Sequence, residues 1–414
     1  MSSGAEYYDD LETRDPELRD KEQFAALSAQ VAHARASTPA YAELLREVEP
    51  EAVTSREALC KLPLTRKSGL IERQKADPPF GGLAAIAPGE TLRIFQSPGP
   101  IYELQGEGKD YWRFGRALFA AGFRAGDVVH NTYAYHLTPA GHMLENGALA
   151  IGCAVVPGGV GNTELQLQAI ATVRPNRYAG TPSFLKLLLE KGREAGVDVS
   201  SIKKAAVGGE ALPPSLRKGI NDLGVEVLQG YGTADLGSVA YESPAMEGLI
   251  VDEGVIVEIV RPGSGDPVPE GDVGEVVVTT FNKSYPLIRF ATGDLSAVMA
   301  GQSPCGRTNM RLKGWMGRAD QTTKVKGMFV RPEQVNEVVA RHPEVAKARL
   351  VVDREGTLDV MTLHCETSAG SEGLSEAIAA TIQAVCKVRG QVKLVAPDSL
   401  PNDGKVIDDV RSYE

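Results

Sequence analysis

The sequence predicts an α/β protein: a large N-terminal region of parallel and mixed sheets with flanking helices and an added β unit, then a small C-terminal α+β domain. Three observations predict it. Short apolar runs alternate with amphipathic segments from about residue 110 to 235, the pattern of a parallel sheet with right-handed crossovers. From about residue 248 helical periodicity gives way to short strands with turn signals. Near Gly317 the texture changes again, to a hairpin followed by mixed strands and helices. The expected domains are 1–316 and 317–414. A chain of 414 residues is too long for one core.

Residues 15–47 carry apolar side chains at three- and four-residue spacing and predict helix. "KLPLTRKSGLIERQ" reads as a loop feeding a short helix, and "ETLRIFQSPGP" as a strand ended by prolines. "KDYWRFGRALFAAGF" predicts a helix and "GDVVHNTYAY" a strand. "AGHMLENGALAIG", "NTELQLQAIATV", "PSFLKLLLEKGREAG" and "LPPSLRKGINDLG" predict helices, interleaved with the strands "CAVVPGG", "RYAGT", "IKKAAVGGE" and "VEVLQGYGTAD". "LIVDEGVIVEIV", "GEVVVTTF" and "PLIRFATGDLSAVM" predict an antiparallel unit. At the end come a hairpin "QTTKVKGMFV", a helix "RPEQVNEVVARH", a strand "KARLVVDREGTLDVMTLHCE", a helix "EGLSEAIAATIQAVCKV" and a strand "QVKLVAP".

A formal net charge of −10 argues against nucleic acid or an anionic membrane as partner, because both require a basic surface. The N-terminus is acidic, with no signal-like apolar core, and no apolar run is long enough to span a bilayer. Five scattered cysteines without a CxxC pair indicate neither a zinc knuckle nor a disulfide framework, so a reduced cytoplasm is expected.

Four constellations carry chemistry. In "LQGYGTADLG" a strand ends in Gly-Tyr-Gly, which lets a flat ligand approach the backbone, and Asp235 follows where a carboxylate could hold a cation near phosphates. An ordinary turn with an inward tyrosine fits that stretch as well. In "YPLIRFATGD" the terminal Asp294 could accept both hydroxyls of a ribose, or simply occupy a turn. "WMGRADQTTKVKG" reads as an interdomain hinge with Arg318 and Asp320, or as a polar linker. In "LPNDGKVID", Lys405 sits on a loop tip and meets only solvent unless the domain closes over something.

In this order these pieces resemble the adenylate-forming acyl-CoA synthetase superfamily, most closely its phenylacetate-CoA ligase branch. "AAGFRAGDVVHNTYAYHLTPAGH", "AAVGGEAL", "YGTADLGSVAYE", "EGDVGEVVVTTF", "YPLIRFATGDLS", "GRADQTTKVKG" and "LPNDGK" carry the resemblance, from about residue 90 to the end. It implies two half-reactions. ATP and a carboxylic acid give an acyl-adenylate and pyrophosphate; a mobile C-terminal domain then rotates, and the coenzyme A thiol displaces AMP. It also implies the site. Gly208, Gly209 and Glu210 border adenine; Tyr231, Gly232 and Thr233 form the aromatic turn against it. Asp294 takes the ribose and Arg318 the ribose or phosphate. Asp320 is the hinge, and Lys405 bridges carboxylate and α-phosphate oxygens. Lys326 and Gly327 lie on the loop lining the pantetheine tunnel. Tyr133, Tyr135, His136, Thr181 and Pro182 stand beside the acyl group. Asp235 occupies the place of a magnesium-binding glutamate; its shorter side chain reaches about 1.5 Å less, so a water-mediated contact is expected.

The resemblance makes the expected cofactors ATP, Mg2+ and coenzyme A. It makes the substrate an organic acid, and the aromatics Tyr133, Tyr135 and Phe184 point to an aryl or arylacetic one. Two alternatives stay open: an AMP- or acyl-adenylate-binding homologue with little or no turnover, and an adenylating ligase with an amine acceptor. A homodimer is left open. A structural zinc is not expected, since Cys305 stands without a partner cysteine in "CGRT".

One stretch departs from the family pattern. A Ser/Thr/Gly-rich phosphate loop is expected after "RIFQ", but the chain reads Ser97-Pro98-Gly99-Pro100-Ile101-Tyr102-Glu103. The prolines remove two N–H donors. A charged Glu103 beside phosphates would repel a unit charge at ~5 Å by about 3 kcal/mol.

Overall fold

The computed structural model describes residues 6–97, 101–319, 321, 323–326, 328–355, 358–368, 373–401 and 405–411. The expected hinge residue Asp320, Gly327 of the tunnel loop and Pro98-Gly99-Pro100 lie outside the described residues. The chain forms two compact units. One comprises Met1–Val257, Val278–Thr292 and Met299–Trp315; the other comprises Glu258–Val277, Gly293–Val298 and Met316–Glu414. The second unit thus takes in two segments that lie before the boundary expected at residue 316.

In chain order the strands up to residue 296 are β1 Thr65–Arg66, β2 Arg93–Ser97, β3 Ile101–Gln105, β4 Val128–Asn131, β5 Ala154–Pro157, β6 Arg177–Gly180, β7 Lys204–Val207, β8 Glu226–Thr233, β9 Gly237–Glu242, β10 Leu249–Val251, β11 Val255–Val260, β12 Gly274–Thr280 and β13 Phe290–Ser296. In the first unit one sheet runs in the order Arg311–Leu312, β10, β9, β8, β7, β6, β4, β5. From β8 to β5 the neighbours are parallel; from β8 through β10 to Arg311–Leu312 they are antiparallel. The sheet is therefore mixed: its β8-to-β5 half is the parallel sheet that the alternation predicts, and the rest is antiparallel.

Helices cover both faces of the parallel half. Phe114–Ala120 and Ala140–Ile151 bury Leu118, Phe119, Met143 and Leu144 with Val129 and Ala179 of the strands. Thr163–Val173, Pro182–Glu194 and Pro214–Asp222 bury Leu167, Ile170, Leu185, Leu188 and Ile220 with Val207 and Val227. Burying each such side chain stabilises the fold by roughly 1.5–3 kcal/mol. The long helix Pro16–Ser37 begins where Asp15 accepts the backbone N–H groups of Glu17 and Leu18, with proline in the first turn. No helix among the described residues is long and apolar enough to cross a membrane.

The stretch after "RIFQ" differs from the expected strand ended by prolines. β2 continues to Ser97, and β3 returns antiparallel to it, with Phe95 opposite Glu103 and Ser97 opposite Ile101. β3 leaves Tyr102 exposed and buries Ile101, Glu103, Leu104 and Gln105.

In the second unit a four-stranded sheet runs Gln391–Val395, Leu358–Glu366, Lys347–Glu355, Ile407–Asp409. The single strand expected over 347–366 is two antiparallel strands, Lys347 opposite Glu366. Helices Pro332–Ala340 and Leu374–Cys386 pack Val335, Val338, Ile378 and Ile382 on Leu350, Val352 and Leu363.

Candidate active site

A cavity of about 670 Å³ opens in the first unit, among the ends of the parallel strands and the segments that follow them. That is the size of a small-molecule site, in the position where open α/β sheets bind ligands. Its wall includes Gly208, Gly209 and Glu210 after β7, and Gly232, Thr233 and Ala234 at the end of β8. Gly209 has φ +75°, a conformation that side-chain-bearing residues rarely adopt. Thr181 and Phe184 contribute from the start of helix Pro182–Glu194, and Tyr133 from the segment after β4.

Tyr133 stands against Gly208: a Cβ built on that glycine would lie 3.3 Å from the phenol oxygen. Burial pushes the Tyr133 hydroxyl well above the ordinary tyrosine range, so it stays a neutral donor. Sequence reasoning missed much of the apolar wall, notably Phe114, Leu118, Met143, Leu144 and Leu228. The four-residue spacing of Phe114 and Leu118 in "KDYWRFGRALFAAGF" puts them on one helix face, but does not say which cavity that face borders. Two polar groups of the wall are engaged with protein. Glu242 accepts from Arg217 at 2.7 Å and from the Gln229 backbone at 3.0 Å. Ser183 donates to Glu210 at 2.6 Å.

Three other expected acyl-pocket residues flank the wall without being part of it. Tyr135 donates its hydroxyl to Glu145 at 2.8 Å and accepts from Asn131 at 2.8 Å, packing edge-on against His142. His136 is exposed, and Pro182 is buried at the first turn of its helix. Neither of these two, nor Tyr135, belongs to the cavity wall.

Tyr231 lies on β8 at a bulge, where the pairing with β9 slips between Tyr231 and Gly232. Its hydroxyl donates to Thr292 at 3.2 Å. Gly232 is required by close approach: a Cβ there would run into the Gly237 carbonyl oxygen. Gly232→Ala should lower the melting temperature by several degrees, equivalent to roughly 1–3 kcal/mol for an overpacked site whose neighbour is backbone. Thermal denaturation checks it, and an unchanged midpoint would refute the clash.

In the second unit Asp294 and Arg318 form a β-bridge, and the guanidinium donates to the carboxylate at 2.9 Å. Arg318 is about half exposed and Asp294 largely covered. Lys405 pairs with Asp408 at 2.9 Å and lines a 250 Å³ pocket with Arg318 and Asp409. The Lys326 backbone N–H donates to Asp359 at 3.0 Å, with φ +48°.

The surroundings of Asp235 do not fit the magnesium expected there. Lys67 donates to Asp235 Oδ2 at 2.6 Å, and the aspartate side chain is fully covered. Oδ1 is buried without a hydrogen-bond partner, which by itself would favour an added cation. Two effects outweigh it. A dication about 4 Å from the ammonium is repelled by roughly 8 kcal/mol at an effective dielectric near 20. Mg2+ also keeps several waters, for which a covered carboxylate leaves no approach. No group of three or more His, Cys, Asp or Glu among the described residues is arranged to hold a metal.

Glu103, expected beside phosphates as a charge, is buried and accepts from Ser97 Oγ at 2.6 Å. Desolvation, then the neighbouring Asp235, push its carboxyl up to about 8, so near pH 7 it is mostly uncharged. The expected repulsion of triphosphate is thereby removed. Ser97 and Thr233, which touch Glu103 and Asp235 respectively, both line the cavity.

The sequence profile of "AMP-binding enzyme" matches residues 111–282, and that of "AMP-binding enzyme C-terminal domain" matches 327–410. A phenylacetate-coenzyme A ligase of Thermus thermophilus is 34% identical, with 90% of this chain and 88% of the relative covered. One from Aromatoleum evansii is 30% identical over 83% of this chain and 80% of its own length. Among solved structures, a 2-hydroxyisobutyryl-CoA ligase in a postadenylation state is 25% identical with a TM-score of 0.73, covering 99% of this chain and 93% of that one. The same ligase with an acyl-AMP and CoA in its thioesterification state is 26% identical, TM-score 0.71, covering 98% and 93%.

Proposed function

This chain belongs to the phenylacetate-CoA ligase family of AMP-binding enzymes, and from that premise we propose that its acid is flat and apolar, of aryl or arylacetic type. The enzyme is an acid–CoA ligase: ATP and the acid give an acyl-adenylate and pyrophosphate, and coenzyme A takes the acyl group as a thioester with release of AMP. The observation that carries the acid class is the 670 Å³ cavity walled by Tyr133, Phe114, Phe184, Met143 and Leu144 beside Gly208 and Gly209. Apolar side chains and flat rings select by shape, and one methylene more or less changes selectivity about 10- to 200-fold.

In this reading each group has a task. Tyr231 and the glycines Gly208, Gly209 and Gly232 receive the adenine, with Thr233 and Glu210 at its edge. Asp294 accepts the ribose hydroxyls, its carboxylate oriented by Arg318. Lys405 supplies charge to the carboxylate and α-phosphate oxygens as the bond forms. Asp320 is the pivot, and Lys326 with Gly327 guides the pantetheine arm. Thr181, with Tyr133, flanks the acyl group. Tyr135, His136 and Pro182, which stand off the cavity wall, are assigned no acyl role in this reading. Magnesium accompanies ATP without Asp235 as its ligand. A cytoplasmic location fits five free cysteines.

Pyrophosphate release from ATP, measured with aryl, arylacetic, short branched hydroxy and long-chain fatty acids, tests the acid class. Aryl or arylacetic acids should exceed the others in kcat/KM by at least about tenfold. A preference for a short branched hydroxy acid would overturn it. Thioester formation should need coenzyme A; turnover with an amine instead would refute the assigned acceptor.

A further inference from the structure

We propose that Lys67 is a built-in cation that holds the Asp235 carboxylate and keeps divalent metal from it, making Lys67 a positioning residue of the adenylation site. It rests on the ligase reading only for its kinetic part.

The argument starts in the chain. β1 pairs in parallel with β13, Thr65 opposite Phe290 and Arg66 opposite Ala291. The Thr65 N–H donates to the Arg289 carbonyl at 3.0 Å. Lys67 follows at once, in the single turn Lys67–Gly69. Its backbone is thus fixed by a strand, although 168 residues separate it from Asp235.

The contact is charge-assisted and short, 2.6 Å. Thr233 Oγ1 donates to the same oxygen at 3.3 Å and itself lines the cavity. The aspartate side chain is fully covered, whereas the lysine retains 26% of its exposure. An ammonium has three N–H donors. One is committed to Asp235, and the exposed part of the group leaves the others able to meet an anion. A tethered ammonium at the end of β8 places positive charge at a fixed point, as a dissociable dication would, with the difference that its pair with the carboxylate is neutral where a carboxylate–dication pair carries one positive charge. The protein's own cation needs no metal concentration to be present. Aspartate in place of glutamate is consistent with this, since the lysine, not the carboxylate, bridges the remaining distance.

Titration of the ligand-free protein with Mn2+, followed by electron paramagnetic resonance of the free ion, tests the inference. The wild type should bind no stoichiometric Mn2+ at this site. Lys67→Ala should gain one equivalent, Lys67→Ala/Asp235→Asn should lose it again, and Lys67→Arg should gain none. In turnover, Lys67→Ala should raise KM for ATP at least tenfold with a smaller change in kcat, and excess Mn2+ should reverse it; wild type and Lys67→Arg should be indifferent to metal beyond that carried by ATP. A wild-type Mn2+ site abolished by Asp235→Asn would overturn the inference, as would a well-folded Lys67→Ala that gains none. If Lys67→Ala fails to fold, a Lys67→Arg protein that acquires a Mn2+ site overturns it, and one that acquires none while keeping the wild-type KM supports it. Should every protein lack acid-dependent pyrophosphate release while the Mn2+ pattern holds, the ligase reading and the kinetic part fall, and the exclusion of metal from Asp235 by Lys67 stands.

Discussion

Replacing Glu103 with glutamine should raise the melting temperature, and the gain should widen as pH rises from about 5 to about 8. The carboxyl titrates near 4.5 when exposed and is pushed up to about 8 in the fold. The folded state therefore holds its proton over a range in which the unfolded state has released it. Stability from this group is full below about 4.5 and is lost as pH climbs towards 8, because folding must recapture a proton that becomes scarcer. A shift of one unit is worth about 1.4 kcal/mol, so the accumulated cost reaches on the order of a few kcal/mol by pH 8. Glutamine keeps an oxygen for the Ser97 hydroxyl and has no proton to lose. For a chain of this size the gap at pH 8 should be several degrees. Melting curves of both proteins at half-unit pH steps decide it: a gap that stays constant with pH would mean that Glu103 is charged in the fold.

The second large effect concerns Lys405. Lys405→Ala should reduce acid-dependent pyrophosphate release by about 10²–10³, the usual loss when one charge-stabilising donor is removed from a transition state. Thioester formation from supplied acyl-adenylate should stay within a few-fold of wild type, since that step forms no bond to the α-phosphate. The Asp408 partner does not prevent this use. The lysine side chain is about half exposed, and exposed pairs are worth only about 0–1 kcal/mol. Equal loss in both half-reactions, measured by rapid quench, would refute the assignment.

What the sequence disclosed follows from the range of the interactions involved. The strand–helix alternation of the first unit is written locally, in turn residues and apolar spacing, and its elements fall where those signals stand. The β2–β3 hairpin was hidden because Pro98 and Pro100 announce a break, while the strand signal of Ile101–Gln105 is blurred by an inward carboxyl. The hairpin of Lys347–Glu355 and Leu358–Glu366 reads as one strand in the sequence, since "DREGTLD" holds a single glycine among strand-compatible residues. Gly208, Gly209, Thr181 and Tyr133 were legible through the family pattern and do line one cavity. Lys67 was not, because nothing in "LTRKSG" announces a partner so far along the chain.

The engaged carboxylate of Glu242 bears on how such a catalyst could be retargeted. With Arg217 and the Gln229 amide already answering it, that group lends the wall no spare charge, and volume is the property of the wall that redesign should change first. Libraries that exchange Phe114, Met143 and Phe184 for smaller or larger residues should move the range of accepted acids while leaving the strand ends intact. Insertions between Gln229 and Gly237 should not be sampled, because one extra residue at the bulge would turn every following side chain to the opposite face of β8.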